Sequence, residues 1–401
     1  MPGRQTSFRR DSPATAGTLF SLIRENAGST RQQLARATGL APSTVSLRVD
    51  ALIAAGLVEE PGHRKSTGGR QPRLLRVRAD AGCVVAVSLG THHASVLVCD
   101  LDGTPHARAE LSVDARQGPR AVLTDVWNAI QALLDDNHVS AESVRGVALG
   151  IAAPINPRTG AVSSSAQLPG WDHIDLFALF REVTGHRVII ENDANLLAIS
   201  EQRLAEDAGD NLLAIKVGSR IGSGIISNGV LHRGESGAGG EFSHAPTRGI
   251  ATIECNCGSA NCLESVAGGS AIIARLRTEG YDLVSTSDLL AFARNGDVRV
   301  TEVLREAGTL VGETLAEVVN FINPRLVVFG GSLSVVQVFV AAVRGVLFQR
   351  CMPAVTEVLD VRLGAGGPDA EVMGASHLLL DMLLSVDEID HLLSEGSPRV
   401  I

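Results

Sequence analysis

Residues 29–58 read STRQQLARATGLAPSTVSLRVDALIAAGLV, and their pattern predicts two short helices joined by a turn. Thr30 and Gln33 have the spacing of a capping box, which predicts a helix start, and Gly39 is typical of a helix end. Apolar residues continue at helical spacing beyond that glycine and predict a second helix over residues 43–55. The residues expected to face the core are Leu34, Ala37, Val45, Val49, Leu52 and Ile53. Such a pair of helices is typical of a helix-turn-helix, whose second helix enters the major groove of DNA.

The segments on either side of this stretch complete a winged helix-turn-helix. Residues 14–28, ATAGTLFSLIRENAG, place apolar side chains on one face and predict a further helix. Residues 57–77, LVEEPGHRKSTGGRQPRLLRV, predict a strand, a basic loop and a second strand, which together form a wing. The side chains predicted to contact DNA are Thr44, Ser46 and Arg48 on the second helix, and Arg64, Lys65, Arg70 and Arg73 on the wing. A helical bundle that contacts only proteins is the alternative, although it does not require the arginines of the wing.

The distribution of charge supports a nucleic-acid-binding head. The whole chain has a net charge of −9, yet residues 1–80 carry 13 Lys and Arg against 6 Asp and Glu. The remaining residues carry 22 Lys and Arg against 38 Asp and Glu, so a basic head precedes an acidic body. This asymmetry is typical of a DNA-binding module attached to a domain with a different role. A basic solvated face with no partner is the alternative.

The overall composition indicates a folded cytoplasmic protein with more than one domain. A chain of 401 residues exceeds the size of one ordinary core, and 45% apolar residues, 20% charged residues and 42 glycines fit a globular α/β protein. The longest apolar run, near GVALGIAAPI, is shorter than the roughly 18 to 20 residues that a membrane span needs. The N-terminus lacks an apolar signal core. We therefore expect a cytoplasmic protein without a membrane partner.

Beyond residue 83 the sequence predicts a body in which short strands alternate with helices. CVVAVSLGTHHASVLVCDLDG, residues 83–103, predicts two strands joined by a tight turn. RVIIENDANLLAISE, residues 187–201, predicts a strand that ends at Asn192 and Asp193 and continues as a helix. RLVVFGGSLS, residues 325–334, predicts a strand followed by two glycines. This alternation indicates an α/β fold.

Three motifs of the body, ENDAN, GGEFSH and CNCGSANCLE, occur in this order along the chain. With them, the chain resembles the ROK family of repressors and sugar kinases, and specifically its winged-helix repressor branch, from about residue 15 to 385. The resemblance implies an α/β body of two ribonuclease-H-like lobes around a cleft, similar to actin and hexokinase. The expected domains are residues 1–79 for the winged helix-turn-helix, residues 80–190 for the first lobe, which residues from about 370–401 complete, and residues 191–369 for the second lobe with a zinc loop.

The cysteines of the third motif indicate a metal site. Cys255, Cys257 and Cys262 lie within eight positions, and three thiols cannot pair among themselves without leaving one over. Tetrahedral zinc requires a fourth ligand, and the resemblance implies that His244 supplies it. Four protein ligands leave no open position for water, so we expect a structural zinc that orders the loop before Glu264. Three reduced, buried cysteines without a metal are the alternative.

The resemblance also implies a sugar-binding cleft. Carboxylates, amides and imidazoles suit a hydroxyl-rich ligand because each accepts or donates hydrogen bonds in a fixed direction. The residues that the resemblance assigns to sugar binding are Asn192, Asp193, Glu241, His244 and Glu264. In kinase members of the family, the aspartate at the position of Asp193 is also the general base. We expect no catalytic residue here, and Asp193 is the candidate if the chain is a kinase.

Two segments that correspond to the phosphate loops of the kinases depart from the family pattern. SLGTH, residues 88–92, has Ser88 in place of an aspartate that helps to position magnesium, and Thr91 in place of a glycine. GSRIG, residues 218–222, has Arg220 in place of a glycine. Both changes together argue against ATP turnover. Arg220 also suggests a preference for a sugar phosphate, because guanidinium binds phosphate in a bidentate manner, and an arginine turned to solvent is the alternative.

These observations predict a DNA-binding transcriptional regulator, most simply a repressor, whose kinase-derived body senses a carbohydrate or sugar phosphate. A palindromic operator requires a two-fold protein, so a homodimer or homotetramer is expected. A carbohydrate kinase with an accessory DNA-binding head is one alternative, which Ser88 and Arg220 disfavour. A second alternative is a regulator that no longer binds sugar, because Ser243 stands between two predicted sugar-contacting residues where the family has glycine.

Overall fold

The structure is a computed structural model, and several short segments lie outside its description. It describes residues 14–60, 73–162, 168, 170–172, 174–205, 207–247 and 252–394. Arg64, Lys65 and Arg70, which were predicted to contact DNA, lie outside the described residues.

Three helices and a pair of short strands form the head. The helices are α1 (Ala16–Glu25), α2 (Arg31–Thr38) and α3 (Pro42–Ala54). Thr30 and Gln33 form the predicted capping box, and Gly39 ends α2 with a left-handed φ of 71°, a conformation that glycine adopts without strain. The two strands, β1 (Val58–Glu59) and β2 (Arg76–Val77), pair antiparallel and confirm the strands predicted for the wing.

The core of the head is close to the predicted one, with one error. Leu34, Val45, Val49 and Leu52 are buried, and Ile53 is partly buried. The prediction that Ala37 faces the core is wrong, because this residue is exposed. Leu34 is the buried residue of α2, and residues 31, 35 and 38 on the same side are partly buried. Ala37 lies one position before Thr38 and is rotated about 100° away from that side.

Two five-stranded sheets form the body, and each begins with an antiparallel meander and ends in parallel strands. The first sheet has the order β5-β4-β3-β6-β7 and the second has the order β10-β9-β8-β11-β12. The strands of the first sheet are β3 (Cys83–Leu89), β4 (His93–Asp100), β5 (Pro105–Ser112), β6 (Val144–Ile151) and β7 (Val188–Asn192). Those of the second are β8 (Leu212–Val217), β9 (Ile221–Ser227), β10 (Val230–Leu231), β11 (Leu326–Gly330) and β12 (Asp360–Leu363).

Helices cover the faces of the two sheets. They are α4 (Pro119–Asp136), α5 (Leu176–Thr184), α6 (Asp193–Leu204), α7 (Leu263–Ala267), α8 (Gly269–Thr278), α9 (Thr286–Arg294), α10 (Val298–Ile322), α11 (Gln337–Arg350), α12 (Pro353–Thr356), α13 (Ala370–Leu383) and α14 (Val386–Ser394). Within the described residues, none of these helices is long and apolar enough to cross a membrane.

The central helix α6 packs on both sheets and on α13. It contacts β8 and β9 of the second sheet, while α13 contacts α6 together with β3 and β6 of the first. Glycines allow these close approaches: a Cβ on Gly374 would lie 1.9 Å from the carbonyl oxygen of Leu196, and a Cβ on Gly224 would lie 2.3 Å from that of Ala194. The end of α6 that follows β7 therefore lies where the two sheets meet.

The last helix, α14, packs against the head. It contacts α1, and the backbone N–H of Gly17 donates to Oδ1 of Asp390 at 2.8 Å. A single hydrophobic cluster includes Leu19 and Phe20 of the head together with Leu379 and Ile389 of the body. The head is therefore joined to the body by a shared core. The division at residues 80 and 191 stays a prediction.

Candidate functional site

The first turn of α6 fixes two of the predicted sugar-binding residues. Asn192 is the N-cap residue, and its Oδ1 accepts hydrogen bonds from the backbone N–H groups of Ala194 at 3.0 Å and Asn195 at 3.2 Å. Asp193 is buried, and its Oδ1 accepts from the same N–H of Ala194 at 2.8 Å. Both side chains therefore have fixed orientations at the boundary between the two sheets.

A lysine of the second sheet binds Asp193. The Nζ of Lys216, on β8, lies 2.5 Å from Oδ2 of Asp193 and 2.7 Å from Oε1 of Glu371, the second residue of α13. The other oxygen of Glu371, Oε2, accepts from Oγ of Ser88 at 2.7 Å. Burial lowers the pKa of Lys216, but the two carboxylates raise it by more, so the ammonium group is protonated at neutral pH. We refer to Ser88, Glu371, Lys216 and Asp193 as the inter-sheet network.

The network limits what Asp193 can do as a base. Burial raises the pKa of Asp193 above its usual value, with a further increase from the carboxylate of Glu371, although the ammonium of Lys216 opposes the change. Both carboxylate oxygens already accept from protein donors, one from the backbone and one from Lys216. A substrate hydroxyl that transferred its proton to Oδ2 would have to compete with this ion pair.

Arg220 lies in the turn between β8 and β9 and binds another predicted sugar ligand. Its Nε donates to Oε1 of Glu264 at 2.6 Å, and its Nη2 lies 2.5 Å from the same oxygen. The second oxygen of Glu264 accepts from the backbone N–H of Ile221 at 3.3 Å. The Arg220 side chain is only 23% exposed, so the alternative that it turns to solvent is wrong.

Glu241 lies between this pair and the predicted metal ligands. Burial raises the pKa of Glu241 to about 7, and the nearby carboxylates of Glu264 and Asp193 add to the increase while Arg220 opposes it. The Oε2 of Glu241 lies 3.7 Å from Nε2 of His244. The predicted sugar-binding carboxylates therefore influence one another, while Arg220 acts on Glu241 and Lys216 acts on Asp193.

The four predicted metal ligands come together. The donor atoms of His244, Cys255, Cys257 and Cys262 all lie within 4.8 Å of one another. Nδ1 of His244 is 3.6 Å from Sγ of Cys255, and Sγ of Cys257 is 3.5 Å from Sγ of Cys262. Ligands of a tetrahedral zinc ion at about 2.3 Å lie about 3.8 Å apart, so the spacing and the donor types fit this metal. The cluster can hold a metal ion.

The turn before Cys262 contains Asn261 at a position where the ROK family usually has glycine. Asn261 adopts a φ of 58°. Asparagine is among the residues that occupy this left-handed region most readily, so the turn keeps its conformation. The backbone N–H of Asn261 donates to the carbonyl oxygen of Ile253 at 2.7 Å, and its Oδ1 accepts from the N–H of Ile253 at 2.7 Å. The substitution therefore leaves the turn closed around the cysteine cluster.

The predicted recognition helix presents a mixed surface. Thr44, Ser46 and Arg48 are partly exposed, and Leu47 between them is 73% exposed. The Nη1 atom of Arg48 is buried and has no hydrogen-bond partner among the described residues. The guanidinium of Arg48 therefore lies partly against the helix surface and is not fully extended into solvent.

An ion-pair network connects the helices of the head to the wing. Nη2 of Arg31 lies 2.7 Å from Oδ1 of Asp50 on α3, and its Nε lies 2.9 Å from Oε1 of Glu60, which follows β1. Arg73, predicted to contact DNA, lies 3.3 Å from Glu60 and is 65% exposed. Arg31 thus links α2 to α3 and to the base of the wing, and Arg73 lies at the edge of this ion-pair network.

Sequence reasoning missed two residues of the site, Lys216 and Glu371. Lys216 is the one charged residue in the strand segment LLAIKV, which is a signal that could have been used. Glu371 gives no such signal, because its partner Ser88 lies 283 positions away and only the fold brings them together.

Two family models match the chain. A model described as the ROK family matches residues 84–382, and a model described as winged helix-turn-helix DNA-binding matches residues 18–59. These ranges correspond to the body and to the helices and first strand of the head.

Related proteins match almost the whole chain. It is 26% identical to the xylose repressor of Caldicellulosiruptor bescii over 92% of this chain and 96% of that protein. It is 25% identical to the DNA-binding transcriptional dual regulator NagC of Escherichia coli K12 over 88% and 90%. The solved structure of a ROK family transcriptional regulator, a homologue of the E. coli MLC protein, matches with a TM-score of 0.78 at 21% identity, over 95% of this chain and 98% of that one. The predicted fold class, a winged helix-turn-helix followed by a two-lobed α/β domain, is confirmed.

Proposed function

Because the chain belongs to the ROK family, we propose that it is a DNA-binding transcriptional repressor whose ROK domain binds a carbohydrate. The winged helix-turn-helix match over residues 18–59 supports the DNA-binding role. Relatives that align with nearly the full chain carry the names xylose repressor and NagC transcriptional regulator, which supports regulation in response to a sugar.

The observation that carries this proposal is that α13 contacts both the inter-sheet network and the head. Glu371 near its start binds Lys216 and Ser88 in the inter-sheet network. Asp381 near its end binds Arg24 of α1 at 3.0 Å. A helix of 14 residues is about 21 Å long, so one rigid element spans the distance between the two sites.

The proposed coupling follows from this geometry. A ligand that binds Asp193 or Glu264 would compete with Lys216 on β8 of the second sheet or with Arg220 in the turn after that strand. A shift of that sheet would change the position of Lys216 relative to Glu371, and α13 would pass the change to α1. Allosteric couplings are typically about 1 to 3 kcal/mol, and the coupling can have either sign.

We further propose that the cysteine cluster holds a structural zinc ion. His244, Cys255, Cys257 and Cys262 would occupy all four positions of a tetrahedral site, so the ion would order the loop and would not bind a reactant. Glu241 lies beside His244, opposite the cysteines, where a carboxylate can orient a ligating imidazole. A loop ordered by the metal would then help to fix the position of Glu241, which is one of the predicted sugar-binding residues.

We propose that the body does not turn over ATP. Ser88 replaces the carboxylate of the kinase pattern, and the carboxylate that approaches it, Glu371, is ion-paired with Lys216. Asp193, the residue expected to act as base in a kinase, is bound to the same ammonium group. A coupled assay of ADP release over a panel of sugars tests this point, and sustained sugar-dependent turnover would favour the kinase alternative.

The repressor is proposed to act on a palindromic operator as a homodimer or homotetramer. Two-fold symmetric sites require a protein with the same symmetry, and each half-site would accept one recognition helix. Analytical ultracentrifugation of the protein alone and with a half-site and a full-site duplex distinguishes these states from a monomer.

Fluorescence anisotropy tests the proposed function. The protein is titrated into labelled DNA from upstream of its own coding region, with scrambled DNA as the control, in the presence and absence of a pool of sugars and sugar phosphates. We expect specific, salt-sensitive binding that the pool changes. Specific binding that no sugar changes, together with no heat of binding by calorimetry, would favour a regulator that has lost its sugar ligand.

A further inference from the structure

We propose that Leu47 is a specificity-determining residue of the DNA-binding head and that it contacts the methyl group of a thymine in the major groove. This inference rests on the proposed function, because it assigns the base that the recognition helix contacts. It follows from the exposure of one apolar side chain, its position on α3 and the net charge of the head.

Leu47 differs from the other large apolar residues described in the head because its side chain is exposed. Its side chain is 73% exposed, whereas Val45 and Val49 on the same helix are completely buried. Among the described residues of the head, no other large apolar side chain is exposed. An isolated exposed leucine is common on protein surfaces, so exposure alone does not indicate a contact.

The position of Leu47 on α3 provides the second step. The helix begins at Pro42, so Leu47 lies on its second turn, about 7.5 Å along the axis from its first residue. Ser43 lies one turn before it and Ala51 one turn after it, and both are exposed on the same side. A recognition helix contacts base edges with residues near its N-terminus, and Leu47 lies in the middle of that exposed side.

The chemistry of the exposed side favours a thymine. A thymine presents a C5-methyl group in the major groove, and small or apolar side chains contact it, whereas guanine and adenine are recognised by guanidinium and amide groups. Ser43, Leu47 and Ala51 carry no such group. The acidic residue of α3, Asp50, is bound by Arg31, which reduces its repulsion of the phosphate backbone.

The net charge of the head favours nucleic acid over a second copy of the head as the partner of Leu47. Residues 1–80 carry 13 Lys and Arg against 6 Asp and Glu, whereas the rest of the chain is strongly acidic. This excess of positive charge attracts nucleic acid and repels a second head.

Replacement of thymine by deoxyuridine tests the contact because it removes only the methyl group. The probe is the shortest duplex from upstream of the coding region that the wild type protects in a footprint. Each duplex of the series carries deoxyuridine at one symmetric pair of positions. We expect one pair of positions at which the wild type loses about fourfold in affinity per half-site, which corresponds to one buried methyl group.

The variant Leu47→Ala should bind the thymine and deoxyuridine duplexes equally at that pair of positions. Alanine has a high helix propensity and the side chain is exposed, so the variant should fold. The control is Val230→Ala, which removes an exposed apolar side chain from the body and should keep the wild-type pattern.

Several results would overturn the inference. A wild type that binds its operator but tolerates deoxyuridine everywhere has no methyl contact, and a Leu47→Ala variant that keeps the wild-type sensitivity assigns the contact to another residue. If Leu47→Ala alters the oligomeric state, measured by ultracentrifugation, and leaves the sensitivity to deoxyuridine unchanged, Leu47 belongs to a protein interface. Absence of specific binding by the wild type is a different failure, because it contradicts the proposed function itself.

Discussion

Arg24 of the head and Asp381 of the body form an ion pair in which Nη1 of Arg24 lies 3.0 Å from Oδ1 of Asp381. The other carboxylate oxygen of Asp381 accepts from Arg203 on α6. One carboxylate at the end of α13 therefore binds both the first helix of the head and the central helix of the body.

The variant Asp381→Asn should weaken the link between sugar and DNA while leaving the fold intact. The carboxylate is half exposed, so we expect a loss of stability below about 1 kcal/mol, measured by urea unfolding. The ratio of operator affinities with and without sugar should move toward one. Asp387→Asn removes the same charge from an exposed position on α14 and is the matched control. An unchanged ratio in Asp381→Asn would exclude this ion pair from the coupling.

Lys216→Met should destabilise the protein, because Asp193 and Glu371 would remain close together without their shared cation. Removal of one partner from a buried ion pair typically costs about 3 to 5 kcal/mol, and the 24% exposure of the Lys216 side chain favours the lower end of that range. Urea unfolding measures the loss. Arg120→Met, which breaks the exposed Arg120–Glu182 pair, is the control and should leave the urea midpoint nearly unchanged. A Lys216→Met midpoint equal to that of the wild type would mean that the network contributes no stability.

The purified protein should contain one zinc ion per chain. Metal analysis of wild type and Cys262→Ser should show loss of the ion in the variant, because a neutral hydroxyl replaces a thiolate ligand. Structural zinc contributes on the order of 10 kcal/mol in small zinc-binding peptides, so a strong chelator should lower the melting temperature of the wild type. Cys351→Ser changes a buried cysteine outside the cluster and should retain zinc. Equal zinc content in Cys262→Ser and Cys351→Ser would show that the cysteine cluster does not bind the zinc ion.

Arg48 and Arg73 should differ in how they contribute to DNA binding. If Arg48 contacts a guanine edge, Arg48→Ala costs about 1 to 3 kcal/mol and relaxes the base preference at one position. Arg73 is more exposed and lies at the wing, so Arg73→Ala should weaken binding to all sequences and flatten the salt dependence. Anisotropy titrations on specific and random DNA at several salt concentrations separate the two effects. Equal losses on both DNAs for Arg48→Ala would exclude a base contact.

His377 should make the stability of the protein depend on pH. Burial lowers the pKa of His377 to about 4, with a further decrease from Arg203 and Arg24 and an opposing effect from Asp381. Its Nδ1 has no hydrogen-bond partner among the described residues. Because the pKa in the folded state lies below the unfolded value of about 6.5, stability is complete above pH 6.5 and falls as the pH decreases toward 4.

Urea unfolding between pH 7 and 4 tests this dependence. The difference between wild type and His377→Asn should change by on the order of 3 kcal/mol over that interval, since the variant has no imidazole to protonate. His92→Asn removes an exposed histidine and serves as the control. If the pH profiles of wild type and His377→Asn run parallel, His377 titrates normally in the folded protein.

Local signals predicted the helices of the head and the three cysteines of the metal cluster, and the family resemblance supplied the fourth ligand, His244. The capping box at Thr30 and the left-handed glycine at position 39 depend only on neighbouring residues, and both are present as predicted. The four metal ligands come from two segments eleven positions apart, and they lie together. The error at Ala37 arose because a helix of eight residues has a narrow buried stripe, which apolar character alone does not locate.

Contacts over long separations could not be predicted from the sequence. Glu371 and Ser88 lie on a helix and a strand that only the completed fold brings together, and Asp381 meets Arg24 across 357 positions. Arg220 was suggested to favour a sugar phosphate, and its contact with Glu264, which lies 44 positions along the chain, was not predicted. The inter-sheet network and the ion pair between α13 and the head were therefore visible only in the structure.

The most direct test of the account is the operator affinity of the wild type, Glu264→Gln and Glu182→Gln, each measured by anisotropy with and without the sugar pool. The account predicts that the pool changes the affinity of the wild type and of the exposed control Glu182→Gln by about 5- to 150-fold, and that Glu264→Gln binds DNA but loses the response. Specific operator binding by the wild type that no fraction of the pool changes would contradict the claim that the cleft controls the head.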